Sequence, residues 1–112
     1  MFSSFKNSSG KIVGEIMLYG PIGQGSMWED ENSCKDFLAR LNELTKTCSQ
    51  INVRINSEGG SVTEGIAIAS AIKKSPVPVY GFIDGLCASI ATIIACSCTK
   101  TVMCSNGLYM MH

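Results

Sequence analysis

Apolar residues along this chain fall into short alternating runs and longer helical stripes that succeed one another. Residues 11–19 set Ile12, Val13, Ile16 and Leu18 among polar positions and stop at Gly20-Pro21, the signature of a strand closed by a breaker. A flexible loop over residues 20–31 follows. From Asn32, read as an N-cap, Phe37, Leu38, Leu41 and Leu44 recur at helical spacing, with Lys35, Asp36, Arg40 and Glu43 on the other face, so an amphipathic surface helix is expected. Ile51, Val53 and Ile55 alternate with Asn52 and Arg54 as a strand running into the turn Asn56-Ser57-Glu58-Gly59-Gly60. A second helix begins near Ser61, places Val62, Ile66, Ala69 and Ile72 on one side, and ends at Lys73-Lys74-Ser75-Pro76. Residues 78–83 form the next strand, which Asp84-Gly85 is expected to break. Residues 88–95 read as a helix apolar all round, hence buried on every side. Residues 101–104 and 108–111 read as the arms of a tight hairpin, because Asn106-Gly107 supplies the positive φ angles such a turn requires.

Strands alternating with helices indicate βαβ units, which set strands in parallel with helices on the sheet faces. With 112 residues the chain is expected to form one domain over residues 1–112. Hydrophobic residues make up 46% of it and charged ones 16%, a balance that argues for a folded core and against disorder. Nine basic and nine acidic residues cancel, so no broad positive field exists to draw in nucleic acid or an anionic membrane, and neither is expected as a partner. Residues 79–98 are nearly uncharged and long enough to suggest a membrane span, but Gly81, Asp84 and Gly85 interrupt them, and a span is not expected. The short polar N-terminus lacks the apolar stretch of a secretion signal, so a cytoplasmic location is expected.

That location implies reduced thiols for Cys34, Cys48, Cys87, Cys96, Cys98 and Cys104. Cys96, Cys98 and Cys104 with His112 do not follow a common zinc spacing; buried core thiols are the better reading, and no metal or cofactor is expected. Gly20, Gly23 and Gly25 lack both the dinucleotide spacing and the Walker lysine of a phosphate cradle.

Two strand-to-helix turns stand out, Ser57-Glu58-Gly59-Gly60-Ser61 and Asp84-Gly85-Leu86-Cys87-Ala88-Ser89. Each brings backbone amides to the start of a helix, where positive partial charge gathers. A serine there, among small neighbours such as Gly85, Ala88 and Ala91, can meet a substrate carbonyl. Its hydroxyl needs a base, and the single histidine of the chain is His112. Read alone, these features leave the alternatives open: a Gly-Gly turn can be only a turn, and a serine opening a helix only a cap.

Ile55-Asn56-Ser57-Glu58-Gly59-Gly60 with Gly65, then Asp84-Gly85-Leu86-Cys87-Ala88-Ser89, then Tyr109-Met110-Met111-His112 resemble, in order, three motifs of the Clp protease proteolytic-subunit family. That family includes phage and prophage head-maturation proteases, and the resemblance covers residues 51–112. It implies an α/β fold of the Clp and crotonase type, built from ββα units coiled into a spiral and, in this sequence, running as far as the catalytic-histidine strand. It implies a serine endopeptidase with Ser89 as nucleophile, His112 as general base and then general acid, and the amides of Gly60 and Ile90 as oxyanion hole. An extended peptide or protein substrate is then expected beside Gly59 and Ser61. Homo-oligomeric rings are implied too, in the setting of an ATP-driven unfoldase or a phage assembly programme.

Three departures accompany the resemblance. Glu58 stands where the family has proline, and Ala95-Cys96 where it has Ala-Gly. The family's third catalytic member is an aspartate downstream of the histidine, and no residue of this sequence matches it. Asp84 is the carboxylate nearest Ser89 in sequence, yet Asp-Gly reads better as a turn pair than as an orienting acid. The competing reading is a non-catalytic assembly or remnant subunit of the same fold. A relative of the acyl-CoA hydratases, similar in fold and in its two-amide hole, is disfavoured by a serine at the nucleophile position.

Overall fold

The computed structural model describes residues 2–23, 33–103 and 108–110. Among them β1 (Phe2–Lys6), β2 (Ile12–Tyr19), α1 (Cys34–Thr45), β3 (Gln50–Ser57), α2 (Val62–Lys73), β4 (Val79–Ala88), α3 (Ile90–Ser97), β5 (Lys100–Met103) and β6 (Leu108–Met110) follow in chain order. The sheet runs β1-β2-β3-β4-β5, with β6 also paired to β4. β1 is antiparallel to β2, and every other pairing is parallel. The α/β expectation from the alternating pattern holds.

Strand order advances one place at a time from β2 to β5, and right-handed crossovers then lay successive helices on the same face. The pleat does the sorting. Ile16 and Leu18 of β2, Ile51, Val53 and Ile55 of β3, and Val79, Ile83 and Cys87 of β4 point to the helices and are buried. Arg54 and Asn56 point to the other face, which α1, α2 and α3 leave uncovered. From the helical side, Phe37, Leu41 and Leu44 of α1 and Ile68 and Ile72 of α2 close the core. Gly14 permits the approach of α1, since a Cβ there would lie 3.0 Å from Leu44 Cδ1 and 3.1 Å from Cys48 Sγ.

Several expectations need correction. The polar N-terminal residues form β1, a strand that the hydrophobic pattern does not announce; it pairs along β2 through a turn that Asn7 closes, its Oδ1 accepting from the amides of Ser9 and Lys11. Asn32 lies outside the described residues, and the N-cap of α1 is Ser33, whose hydroxyl accepts from the Asp36 amide at 3.1 Å. The buried side of α2 is Gly65, Ile68, Ala69 and Ile72, while Val62 and Ile66 are 58% and 51% exposed. Contact with α3 causes this: Gly65 lies against Ile90 and rotates Val62 and Ile66 outward.

α3 is not buried all round, because Ile93 and Cys96 turn to the surface. Nor does Asp84-Gly85 end a strand. β4 continues through it with a register shift, since Ile55 pairs with Ile83 but Ser57 with Cys87. The expected hairpin does not form: β5 and β6 both run parallel to β4, β5 beside residues 80–83 and β6 beside residues 86–88. Two strands parallel to one neighbour cannot be antiparallel to each other; the turn residues Ser105, Asn106 and Gly107 lie outside the described residues. Among the described residues, no helix is long and apolar enough to cross a membrane.

Among the described residues Phe37 is the largest fully buried side chain, and it joins α1 to the sheet. Phe37→Ala is expected to lower unfolding free energy by about 3–5 kcal/mol through lost burial and the cavity left behind, measured by urea denaturation.

Candidate active site

The junction of β4 and α3 is made by Ser89, the one non-glycine residue with positive φ among the described residues, at φ 55° and ψ −129°. For a residue carrying a Cβ, such a conformation costs about 1–3 kcal/mol and persists only where its surroundings enforce it. It turns the chain sharply from strand into helix. Ser89 occupies the N-cap position, yet its hydroxyl makes no capping hydrogen bond. Its carbonyl, by contrast, accepts from the Thr92 amide at 3.0 Å and from Thr92 Oγ1 at 2.7 Å. The cap reading of Ser89 therefore fails: the backbone anchors the turn and the helix start does not employ the side-chain oxygen.

What enforces the conformation is the Gly59-Gly60 turn. A Cβ on Gly59 would lie 2.7 Å from Ser89 Cβ, 2.9 Å from the Ala88 carbonyl oxygen and 3.3 Å from the Ile90 nitrogen. Gly59 has φ +100° and Gly60 φ +146°. On the far side, a Cβ on Gly60 would lie 2.2 Å from the Ile22 carbonyl oxygen. Two glycines thus form a layer one backbone thick between Ile22 and Ser89, and any side chain there would force the layers apart.

Hydrogen bonding fixes which way this layer faces. The Ile22 amide donates to the Gly59 carbonyl at 2.9 Å, and the Ser61 amide donates to the Ile22 carbonyl at 2.8 Å. The Gly59 amide donates to Ser57 Oγ at 3.1 Å, and the Ser61 carbonyl accepts from the Gly65 amide at 3.0 Å. Backbone groups alternate in direction along an extended segment, so the Gly60 N–H and C=O face away from Ile22. Ile90 opens α3, where an N–H lacks an intrahelical acceptor. These two amides belong to the turns that meet at Ser89. The backbone groups of Gly59 and Ser61 hold Ile22, Ser57 and the first turn of α2, which leaves the Gly60 groups on the outward edge.

His112 lies outside the described residues. β6 ends two positions before it, and its register with β4 sets Met110 opposite Ala88, the residue before Ser89. Asp84 is committed elsewhere. Its carboxylate accepts from Arg54 Nε at 2.8 Å, from Arg54 Nη2, and from Tyr19 Oη at 2.7 Å, on the sheet face without helices. The turn-pair reading of Asp84 is therefore replaced, and the orienting-acid role gains no support.

The thiols of Cys87 and Cys98 are poor nucleophiles at neutral pH. Burial, with a further contribution from Cys96, pushes the Cys87 thiol up to about 11, and burial with Cys96 and Cys87 pushes Cys98 up to about 12. Both stay protonated at neutral pH. The Cys34 thiol is raised by burial and then by Glu64. The expectation of buried core thiols at Cys96, Cys98 and Cys104 fails for exposed Cys96 and is met in part by Cys98, which is half-buried against the core; Cys104 lies outside the described residues. Sequence reasoning also missed Ile22, which is 2% exposed and pins the glycine layer. Its signal was an isolated branched apolar residue between Pro21 and Gly23, inside a stretch read as loop.

The model of the family described as Clp protease matches residues 11–112. An ATP-dependent Clp protease proteolytic subunit from Streptococcus thermophilus is 35% identical over 101 residues, covering 87% of this chain and 48% of its own length. The subunit of the same description from Streptococcus pyogenes is 33% identical over the same shares. Among solved structures, ClpP1 from Listeria monocytogenes is similar with a TM-score of 0.65 and 28% identity, over 75% of this chain and 46% of that one. The ClpP protease catalytic domain from Plasmodium falciparum has a TM-score of 0.72 and 26% identity, over 88% and 53%. The chain spans about half the length of the curated relatives it matches.

Two outcomes follow from this packing. A Cβ at Gly65 would lie 2.2 Å from Ile90 Cγ1. Gly65→Ala gains about 1 kcal/mol of helix propensity but loses about 1–3 kcal/mol to overpacking, so a net destabilisation is expected in thermal melts. The raised thiols give an alkaline limit. The folded state keeps protons that an unfolded thiol, at 9.0, has released, so their stabilisation is complete below pH 9 and is lost as pH rises towards about 11 and about 12. Cys98→Ser should flatten that decline, as read by denaturation midpoints on either side of pH 9.0.

Proposed function

Because this chain belongs to the Clp protease family, whose model it matches over residues 11–112, we propose that it carries the nucleophile of a serine endopeptidase. Ser89 Oγ attacks the scissile carbonyl while its proton passes to His112. Charge developing on the carbonyl oxygen is met by the N–H groups of Gly60 and Ile90, a type of contact worth about 3–4 kcal/mol of barrier per donor. His112 then protonates the departing amine, and water hydrolyses the acyl-enzyme on Ser89. The substrate peptide lies against the outward edge of Gly60, with Gly59 and Ser61 shaping the floor.

The observation that carries this reading is the conformation of Ser89. A positive-φ serine without a capping hydrogen bond, pressed against a Gly-Gly turn, suits a nucleophile and has no use in a plain helix start. The family's aspartate is assigned to none of the residues of this sequence.

The relatives' description as ATP-dependent proteolytic subunits supports the further proposal of an ATP-driven unfoldase as partner. Self-association into a ring is supported by Val62, Ile66 and Ile93, large apolar side chains about half-exposed on the adjoining helices α2 and α3.

A fluorophosphonate probe tests the chemistry. One adduct at Ser89, seen by intact mass and peptide mapping, is expected in the wild type and none in Ser89→Ala, with peptidase turnover falling roughly 100-fold, the part of a triad's about 2 × 10⁶ that remains when the aspartate, worth about 3 × 10⁴, has no counterpart. A folded wild type that takes no label would instead support the non-catalytic subunit.

A further inference from the structure

β3 and β4 fall out of step just before the Ser89 turn. Between the pairs Ile55–Ile83 and Ser57–Cys87, Asn56 alone faces Asp84, Gly85 and Leu86. A strand with extra residues loses ladder partners at that point, and its exit direction changes. Here the side chain of Asn56 takes the place of the missing ladder bond: its Oδ1 accepts from the Leu86 amide at 2.9 Å. Gly85 makes room, since a Cβ there would lie 2.7 Å from Asn56 Oδ1. The Asn56 carbonyl meanwhile accepts from the Gly20 amide at 2.9 Å, tying the same residue to the end of β2. One position earlier on β4, the Arg54–Asp84 pair clamps the other flank of the shift.

The irregularity is also where β4 changes partners. Residues 80–83 pair with β5, and residues 86–88 pair with β6. Side chains alternate faces with a period of two, so a one-residue slip at this point would turn the end of β4 over and redirect Ser89.

We propose that Asn56 is a positioning residue for Ser89, holding the β4 irregularity in the one register that aims the serine turn and receives β6. The inference rests on the serine-peptidase reading for its catalytic consequence but not for its structural one. It is tested with Asn56→Ala, Asn56→Asp, which keeps an acceptor oxygen at similar reach, and Gly85→Ala, which pushes that oxygen away. Amide hydrogen exchange by NMR reads the register, and the rate of fluorophosphonate labelling reads the aim of Ser89.

Expected are loss of protection at Leu86, Cys87 and Ala88 in Asn56→Ala and Gly85→Ala, and its retention in Asn56→Asp. Labelling should fall about 10- to 100-fold in the first two, as for an ångström-scale misplacement, and recover in the third. Unchanged protection at Leu86 in Asn56→Ala overturns the inference, as does an Asn56→Asp protein that is protected at Leu86 yet labels as slowly as Asn56→Ala. If the wild type takes no label, the peptidase reading fails, and the exchange pattern alone decides whether Asn56 holds the register.

Discussion

The contact between the Gly59-Gly60 layer and the Ser89 turn is the constraint on which the rest of the site depends. A serine at φ 55° is held against its own preference, so something must make every relaxed alternative worse. The glycine layer does this by occupying the space on one side, at separations where not even a methyl group fits. That layer is in turn fixed by Ile22, whose amide and carbonyl clasp it from behind. Strain at one residue is thus distributed over three chain segments, each rigid because the sheet behind it is rigid.

The sheet supplies that rigidity cheaply. Parallel strands with helices on one face bury β-branched residues in alternate positions, and the strand ends then converge along one edge. Backbone amides freed at the starts of α2 and α3 gather at that edge. A chain with no net charge can therefore concentrate positive potential at a single point without a basic side chain. The opposite face of the sheet is polar where β3 and β4 meet, with Arg54 stacked 4.8 Å from the Phe82 ring and paired to Asp84. Such a pair, only partly exposed, contributes more to the relative placement of two strands than to overall stability.

Period and turn chemistry made the positions of β2, β3, α1 and α2 legible in the sequence, because each carries apolar residues at its own period and stops at a cap or breaker. Where burial depends on two neighbours the pattern misleads. Val62 and Ile66 continue an apolar stripe on α2, yet the glycine between them and α3 decides which side faces inward, and apolarity alone cannot rank a glycine above an isoleucine. Residues 88–95 are apolar but for Ser89 and Thr92, and the first two belong to the strand end and the turn. Asp84-Gly85 looks like a terminator because its hydrogen-bond compensation comes from Asn56, about thirty positions away. The Asn-Gly pair likewise suggested an antiparallel hairpin, whereas both flanking strands found the same parallel partner. The Ser89 position itself came from family resemblance; its backbone angle has no sequence signature beyond small neighbours.

Placement of the thiols adds a chemical reason for proposing the serine, and not Cys87, as the nucleophile. Cys87 stands two residues before Ser89, and a thiol is intrinsically the better nucleophile once ionised. Its strand position turns it into the core, fully buried beneath α3, and the low dielectric there raises its proton affinity instead of lowering it. Ser89 differs by one backbone rotation: the same strand, two residues on, leaves the sheet and brings its hydroxyl to the rim, beside amides that favour negative charge. Reactivity at this junction is therefore assigned by where the chain turns, more than by which side chain is chemically the stronger.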